Sequence, residues 1–175
     1  KQIDEVRESV IPSNNFSADE LTPEYKILKL DEIDISTIAS IYRKVFRFYH
    51  FPIFQEKYLL DSMRSNVRYF GAFHKDKVIA ISSAEMDKLY NNVEMTDFAT
   101  LPDYRGRNLS YYLLQTMLSG MAVEGIQTAY TIARAASYGM NKTFARHGFH
   151  FGGTLINNTL IGDTIESMNV WYKQL

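Results

Sequence analysis

Hydrophobic and polar positions alternate in some stretches of the chain and recur at helical spacing in others. Tyr25–Leu30 alternates polar and apolar residues, which predicts a first strand. Apolar side chains then recur every three or four residues, which predicts a helix that Asp34 and Ser36 cap. The apolar positions of this helix are Ile38, Ile41, Tyr42, Val45 and Phe46. A second helix is predicted after Pro52.

From residue 67 onward, the pattern alternates between strands and helices. Strands are predicted over 67–73, 78–86 and 93–101, and the polar segment 74–77 forms a hairpin turn between the first two. Later predicted elements are a helix over 105–123, a strand over 128–133, a helix over 138–146, and strands over 149–155 and 167–172. The order β-α-α-β-β-β-α-β-α-β-β predicts a mixed sheet of the α/β (α+β) class.

One domain, residues 23–175, contains all of these predicted elements. Residues 1–22 are predicted to be a polar lead-in, because Pro12 and the polar residues after it interrupt any regular element. The chain begins with Lys1 rather than methionine, and we therefore expect that it is the C-terminal part of a longer protein.

Composition narrows the classes of partner. Lysine and arginine together number 19 and aspartate and glutamate 20, so the net charge of −1 gives no broad basic surface for nucleic acid. No apolar run reaches the roughly 20 residues of a membrane span, so we expect no membrane partner. The absence of cysteine excludes thiolate catalysis and disulfides. Since no signal peptide opens the chain either, we expect a cytoplasmic protein.

The segment 97–110 carries the clearest chemical signal. A strand ends at Leu101-Pro102, a tight turn follows, and a long helix begins. Free N–H groups and the positive dipole at a helix start bind phosphate. Arg105 and Arg107 add positive charge, and Gly106 lets a ligand approach the backbone closely. These features predict a diphosphate-binding turn.

Leu101-Pro-Asp-Tyr-Arg-Gly-Arg107 resembles the acetyl-CoA signature of the GNAT acetyltransferases, Arg/Gln-x-x-Gly-x-Gly/Ala. The resemblance implies acetyl-CoA as cosubstrate and a mostly antiparallel, twisted sheet of about seven strands flanked by about four helices. Asn108 replaces the first glycine of the signature and Ser110 its last small residue. Asparagine tolerates positive φ and serine is small, so both substitutions can be accommodated.

Four blocks in the C-terminal half resemble the β-lysine N-acetyltransferases. They are Thr131-Ile-Ala-Arg-Ala135, Gly139-Met-Asn-Lys-Thr-Phe144, Gly152-Gly-Thr-Leu-Ile-Asn-Asn158 and Glu166-Ser-Met-Asn-Val-Trp-Tyr-Lys173. The resemblance implies transfer of acetyl to the ε-amine of β-lysine, a small-molecule acceptor, which gives the compatible solute Nε-acetyl-β-lysine. The alternatives are another amine, such as lysine, a diamine, a polyamine or a protein lysine, and a CoA-binding module without turnover.

The family resemblance also assigns roles to residues. The expected cofactor-binding residues are Phe98, Ala99, Thr100, Arg105, Gly106, Arg107, Asn108, Leu109, Ser110, Ser137 and Asn141. Glu94 is expected to be the general base, and Asp97 is a second carboxylate with a catalytic or substrate-binding role. Strand alternation places Asp97 on the opposite face from Glu94 and Phe98, unless a bulge turns one of these side chains.

The proton donor and the acceptor site are less clearly marked. Phe144 stands where many GNAT enzymes have a tyrosine acid, so the proton for the thiolate must come from Tyr138, from water held by Asn141, or from solvent. Arg134 is a candidate for binding a substrate carboxylate, with a surface salt bridge as the alternative. The resemblance adds Asn158, Glu166 and Asn169 as further substrate-binding candidates.

Two remaining expectations concern metals and self-association. The histidines do not form a helical ligand pair, because the step from His147 to His150 crosses Gly148, and we predict no metal. Many proteins of this fold pair through their C-terminal strands, so the resemblance also raises the expectation of a homodimer.

Overall fold

The computed structural model describes residues 21–175, and most of the predicted polar lead-in therefore lies outside the described residues. Its regular elements are β1 (Tyr25–Lys29), α1 (Ile35–Val45), α2 (Glu56–Ser65), β2 (Val67–His74), β3 (Lys77–Asp87), β4 (Asn92–Thr100), α3 (Leu109–Val123), β5 (Thr128–Arg134), α4 (Tyr138–Arg146), β6 (His150–Ile161) and β7 (Thr164–Gln174). This order confirms the order predicted from the hydrophobic pattern. None of the helices in this part of the chain is long and apolar enough to cross a membrane.

The seven strands form one sheet in the order β1-β2-β3-β4-β5-β7-β6. Neighbouring strands are antiparallel, with the single exception of the parallel pair β4 and β5. The sheet is therefore mixed and mostly antiparallel, as predicted.

The two parallel strands separate soon after they begin to pair. Asn92–Glu94 of β4 pairs with Thr128–Tyr130 of β5, and the pairing goes no further. Beyond this point, β4 continues along β3 as far as Thr100, while β5 continues along β7 as far as Arg134. The sheet consequently opens into a V between β4 and β5.

Helices cover both faces of the sheet. On one face, Leu113 and Met117 of α3 are fully buried against a core that includes Ala84 and Met95 of the sheet. On the other face, Ile38 and Tyr42 of α1 belong to a second core. Apolar residues spaced by three or four along each helix provide the buried stripe that this packing requires.

The long central helix begins later than its periodicity predicts. The predicted start at Arg105 is wrong, because α3 begins at Leu109. Asn108 has the left-handed φ of 56°, which interrupts helical geometry immediately before that start. The segment 105–108 is thereby left as a loop at the mouth of the V.

The cap predicted for the first helix differs in detail. Asp34 stands at the N-cap position of α1 but makes no capping hydrogen bond there. Its carboxylate instead accepts from the Asp31 N–H, while that of Asp31 accepts from the Ile33 N–H. These two bonds form a capping box for the 3-10 turn Glu32–Asp34.

The last two strands are longer than predicted. The strands predicted over 149–155 and 167–172 correspond to β6 and β7. These two strands pair from His150↔Tyr172 to Ile161↔Thr164. An irregularity in the ladder between Leu155 and Thr159 contains Asn157 at φ 49°. Asn157 and Asn158, which follow the predicted strand, therefore lie within the edge strand of the sheet.

Candidate active site

A cleft of ≈ 420 Å³ runs beside β4 and across the starts of α3 and α4. Nine of the predicted cofactor-binding residues line it: Phe98, Thr100, Arg105, Gly106, Arg107, Asn108, Leu109, Ser110 and Ser137. The structure thus brings together the end of the strand, the turn and the start of the helix, as the sequence motif predicts.

The turn has the geometry of an anion site. Gly106 has φ +78°, and a Cβ at this position would meet no atom within 4 Å, so the space above its backbone is open. The Tyr111 N–H donates to the Asn108 carbonyl over 2.9 Å, whereas the N–H groups of Leu109 and Ser110 precede this first helical bond and lie at the positive end of α3. The residues present therefore fit the diphosphate of acetyl-CoA, whose charge these donors and Arg105 would neutralise.

Arg107 ties this turn to the first strand. Its Nη1 donates to the Tyr25 hydroxyl over 2.6 Å, and its guanidinium lies over the Tyr104 ring at 5.3 Å from the centroid. Tyr25 also packs against the His74 ring, at a centroid separation of 5.1 Å. Arg107 thus holds the loop in place in addition to contributing charge.

A β-bulge in β4 changes the faces to which its side chains point. Across from β3, Thr96 pairs with Ser83 and Ala99 pairs with Ile81, so two residues of β4 oppose one residue of β3. Asp97, the first residue of the bulge, has φ 55°. The bulge that the sequence analysis named as the exception to simple alternation is therefore present.

The bulge places the Asp97 carboxylate in a buried hydroxyl-lined position. The side chain is only 7% exposed. Ser83 Oγ donates to its Oδ2 over 2.7 Å, and the Tyr49 hydroxyl donates to its Oδ1. Burial raises the pKa of Asp97 to about 7, so this carboxyl gains and loses a proton near neutral pH.

The Phe98 ring turns to the face opposite Asp97. It meets the Phe144 ring edge-on at a centroid distance of 5.8 Å, and Phe144 in turn contacts Phe149 at 5.2 Å. Phe144 is buried among these rings. Phe144, which stands where the family resemblance implies a tyrosine acid, therefore carries no hydroxyl and belongs to the core.

Glu94 lies at the fork of the V. It is the last residue of β4 that pairs with β5. Burial, followed by the nearby Glu85 charge, raises the pKa of Glu94 to about 7, while hydrogen bonds from the Ile132 N–H and the Tyr130 hydroxyl act in the opposite direction. Glu94 lines neither the cleft nor a second cavity that adjoins the cleft at Phe98.

A second cavity of ≈ 230 Å³ opens between the separated strands. We name it the acceptor cavity. Asp97 lines it from β4, and Thr131 and Arg134 line it from β5. Phe98, Ser137 and Met140 line both this cavity and the larger cleft, so the two spaces adjoin. Two molecules bound in them would meet beside the bulge.

Arg134 and Glu166 form a two-pronged ion pair at the acceptor cavity. Arg134 Nε donates to Glu166 Oε2 over 2.6 Å, and Nη2 donates to Oε1 over 2.5 Å. The salt bridge weighed for Arg134 in the sequence analysis is therefore present. The side chain still lines the acceptor cavity.

Asn141 and Asn169 lie in a buried polar network rather than on a cavity wall. Asn141 Nδ2 donates to the carbonyls of Arg134 and Ser137, and its Oδ1 accepts from Asn169 Nδ2 and Trp171 Nε1, each over 2.9 Å or less. Both asparagines are at most 2% exposed. These partners fully occupy the Asn141 amide, which we reassign from cofactor binding to structure.

The other predicted site residues lie further from the two cavities. The Ala99 side chain is buried in the core beneath α1, although its backbone remains on the strand beside the cleft. Asn158 is exposed on β6, where its Oδ1 accepts from the Thr159 hydroxyl. Neither side chain lines the cleft or the acceptor cavity.

Tyr49 and Ser83 are site residues that the sequence analysis did not identify. Ser83 pairs with Thr96 across the ladder, and Tyr49 lies in the loop between α1 and α2. Tyr49 also lines the acceptor cavity. Its hydrogen bond to Asp97 spans 48 positions of the chain and leaves no local signal.

Comparison with known proteins agrees with this architecture. A family model described as "Acetyltransferase (GNAT) family" matches residues 35–149. A ribosomal-protein-S18-alanine N-acetyltransferase from Escherichia coli superposes with a TM-score of 0.73 at 17% identity, covering 86% of this chain and 93% of that one. This structural likeness concerns the fold alone.

The chain is also similar in sequence to named acetyltransferases. A beta-lysine N(6)-acetyltransferase from Methanococcus maripaludis is 46% identical over 143 residues, which are 82% of this chain and 52% of that protein. The N-acetyltransferase YodP from Bacillus subtilis is 38% identical over 154 residues, 88% of this chain and 56% of that protein. The chain thus spans about half the length of these relatives.

Proposed function

The chain belongs to the acetyltransferase (GNAT) family, and we propose that it transfers acetyl from acetyl-CoA to the ε-amine of β-lysine. The substrate follows from the name of the relative that is 46% identical over most of the chain. The observation that carries the chemistry is Asp97, a buried carboxylate that lines the acceptor cavity at the junction with the cleft. The product, Nε-acetyl-β-lysine, would act as a compatible solute.

The larger cleft is the proposed cofactor site. When bound, acetyl-CoA supplies acetyl as a thioester, whose C–S bond is exchanged for a C–N bond as CoA leaves. Gly106 and the first turn of α3 would hold the diphosphate, with Arg105 supplying positive charge. The backbone of 98–100 would run beside the pantetheine arm, because β4 has no strand partner on that side beyond Glu94.

Asp97 is the proposed general base. At neutral pH an alkyl amine is protonated to an ammonium ion, which must lose a proton before its nitrogen can attack a carbonyl. A carboxylate with a pKa of about 7 accepts that proton near neutral pH. Hydrogen bonds from Ser83 and Tyr49 would orient the carboxylate so that a free lone pair faces the cavity.

Glu94 is proposed to support the fork rather than to contact the amine. The carboxyl binds groups of β5 where the two strands part, so it helps to keep the V open. Its negative charge would also favour an acceptor that carries two ammonium groups.

Ser137 is the proposed hydrogen-bond donor to the reacting thioester. It lines both cavities and precedes α4 without making a side-chain cap bond. Phe144 cannot donate a proton, so protonation of the departing thiolate is assigned to solvent that enters through the open cleft.

CoA release tests this function directly. Acetyl-CoA would be offered with β-lysine, α-lysine, ornithine or spermidine as separate acceptors. We expect strong preference for β-lysine. Turnover of another acceptor alone would overturn the substrate assignment, and tight acetyl-CoA binding without turnover of any acceptor would favour a CoA-binding module.

A further inference from the structure

The ion pair between Arg134 and Glu166 occupies a position that a ligand can reach. Arg134 is the last residue of β5 and lines the acceptor cavity. Glu166 lies two positions before Met168 on β7, and Met168 lines the same cavity. Alternate residues of a strand share a face, so Glu166 lies on the same face of β7 as Met168, beside the residues that line the cavity. Its cross-strand partner on β6, Thr159, also lines the cavity.

Both partners retain hydrogen-bonding capacity. The Arg134 guanidinium carries five N–H donors, of which the ion pair uses two. The Glu166 carboxylate has about four lone-pair sites and accepts two of these bonds. The Arg134 side chain is 52% exposed and that of Glu166 is 14% exposed. A ligand can therefore bind both charged groups without breaking their mutual contact.

Fold stability does not explain the placement of this pair. Ion pairs at the surface contribute little to stability, and the desolvation of a carboxylate that is 14% exposed offsets part of the attraction in this pair. Arg64 and Glu32 form a similar two-pronged pair on the surface, at 2.8 Å for each bond, away from both cavities. The Arg134 pair differs from it by facing the space that contains Asp97.

We propose that Arg134 and Glu166 together bind the zwitterionic head of a β-amino acid. Arg134 binds the carboxylate and Glu166 binds the adjacent ammonium group, so that the distant terminal amine extends across the cavity toward Asp97. This inference rests on the proposed function, because it names what distinguishes a diamino acid from other amines at that site. A polyamine carries no group that satisfies Arg134, and its positive charge meets the guanidinium unfavourably.

Three acceptors test the Arg134–carboxylate contact and the Glu166–ammonium contact separately. β-Lysine presents both head charges, 6-aminohexanoic acid lacks the head ammonium, and 1,4-diaminopentane lacks the carboxylate. All three keep the terminal amine. The variants are Arg134→Gln and Glu166→Gln, with Arg64→Gln as a matched control that breaks the similar surface pair.

Each variant should affect only the acceptors that carry its ligand charge. Arg134→Gln should lower kcat/KM by about tenfold or more for β-lysine and 6-aminohexanoic acid, mainly through KM, and spare 1,4-diaminopentane. Glu166→Gln should lower kcat/KM similarly for β-lysine and 1,4-diaminopentane and leave kcat/KM for 6-aminohexanoic acid unchanged. Arg64→Gln should leave all three unchanged. Calorimetry should show weaker β-lysine binding to the CoA complex of both cavity variants.

The unaffected acceptor reports whether each variant is correctly folded. Equal losses for all three acceptors, or no loss for any, would overturn the assignment of the head group to this pair while leaving acetyl transfer intact. If the wild-type protein binds acetyl-CoA but acetylates none of the three, the proposed function fails and the ion-pair assignment fails with it.

Discussion

At the scale of single residues, Asp97 combines an unusual backbone with an unusual acidity. Its φ of 55° is in the left-handed region, which aspartate adopts more readily than most residues with a Cβ. The resulting bulge turns the carboxylate onto the face where Ser83 and Tyr49 donate to it. Backbone geometry, hydrogen bonding and burial therefore act on the same carboxyl.

Replacing this carboxyl should remove most of the turnover. Asp97→Asn keeps the shape and the tolerance of positive φ but cannot take a proton, so kcat should fall by about 10²-fold or more. Glu94→Gln, the matched control, should cost about tenfold or less, because glutamine still accepts from Tyr130 and Ile132. The two variants are compared by their initial rates of CoA release at a saturating acceptor concentration. A larger loss for Glu94→Gln would transfer the role of base to Glu94.

The rate should depend on pH in a defined direction. Burial raises the pKa of Asp97 to about 7, so the base is protonated and inactive below that pH and free above it. The rate should therefore fall about tenfold per pH unit below pH 7 and level off above it. Rates between pH 5 and pH 9, with acetyl-CoA saturating, give the profile. A profile that is flat down to pH 5 would contradict a base of this acidity.

At the scale of elements, the turn before α3 depends on two left-handed positions that are separated by one residue. Gly106 has φ +78° and Asn108 has φ 56°, on either side of Arg107. The start of α3 at Leu109 follows from this conformation, and the first-turn N–H groups consequently face the cleft. The departure of Asn108 from the glycine of the family signature is thus compatible with the same backbone.

Substitutions at Asn108 test that conformation. Alanine in the left-handed region costs about 1–2 kcal/mol, whereas glycine adopts it freely. Asn108→Ala should therefore weaken acetyl-CoA binding about tenfold, and Asn108→Gly should leave it unchanged or stronger. Calorimetric Kd values would show the difference. Equal affinity for the two variants would mean that the turn does not set cofactor binding.

Local motifs and element order were predictable from the sequence, whereas features that depend on distant contacts were not. The turn around Gly106 is a short contiguous motif, and strand and helix periods are local patterns. The bulge at Asp97 depends on how β4 pairs with β3, and the Tyr49 contact depends on a loop 48 positions away. Asn141 resembled a ligand-binding residue because sequence alone does not reveal its buried partners.

At the scale of the whole molecule, one short strand pairing joins the two parts of the sheet. β4 and β5 share three residue pairs before they separate. Beyond the fork, Asn141 links α4 to the end of β5 through the Arg134 carbonyl, and to β7 through Asn169 and Trp171. The same network fixes the backbone of Arg134 and Ser137, both of which line the acceptor cavity.

Removing the Asn141 amide should destabilise the whole fold. Asn141→Ala leaves several buried donors and acceptors without partners, each costing about 1–3 kcal/mol, so the free energy of unfolding should fall by about 3 kcal/mol or more. Asn158→Ala, on the exposed part of β6, should change it by no more than about 0.5 kcal/mol. Urea unfolding followed by circular dichroism measures both. Similar small changes would show that the network contributes little.

The position of the acetyl group on the product tests the proposed reaction most directly. The protein would be incubated with β-lysine and acetyl-CoA carrying ¹³C in its acetyl group, and the product identified by NMR. Acetyl on the terminal nitrogen, formed in a one-to-one ratio with free CoA, is the expected result. Acetyl on the nitrogen next to the carboxylate end, or CoA release without acetylated β-lysine, would contradict transfer to the amine that Asp97 is proposed to deprotonate.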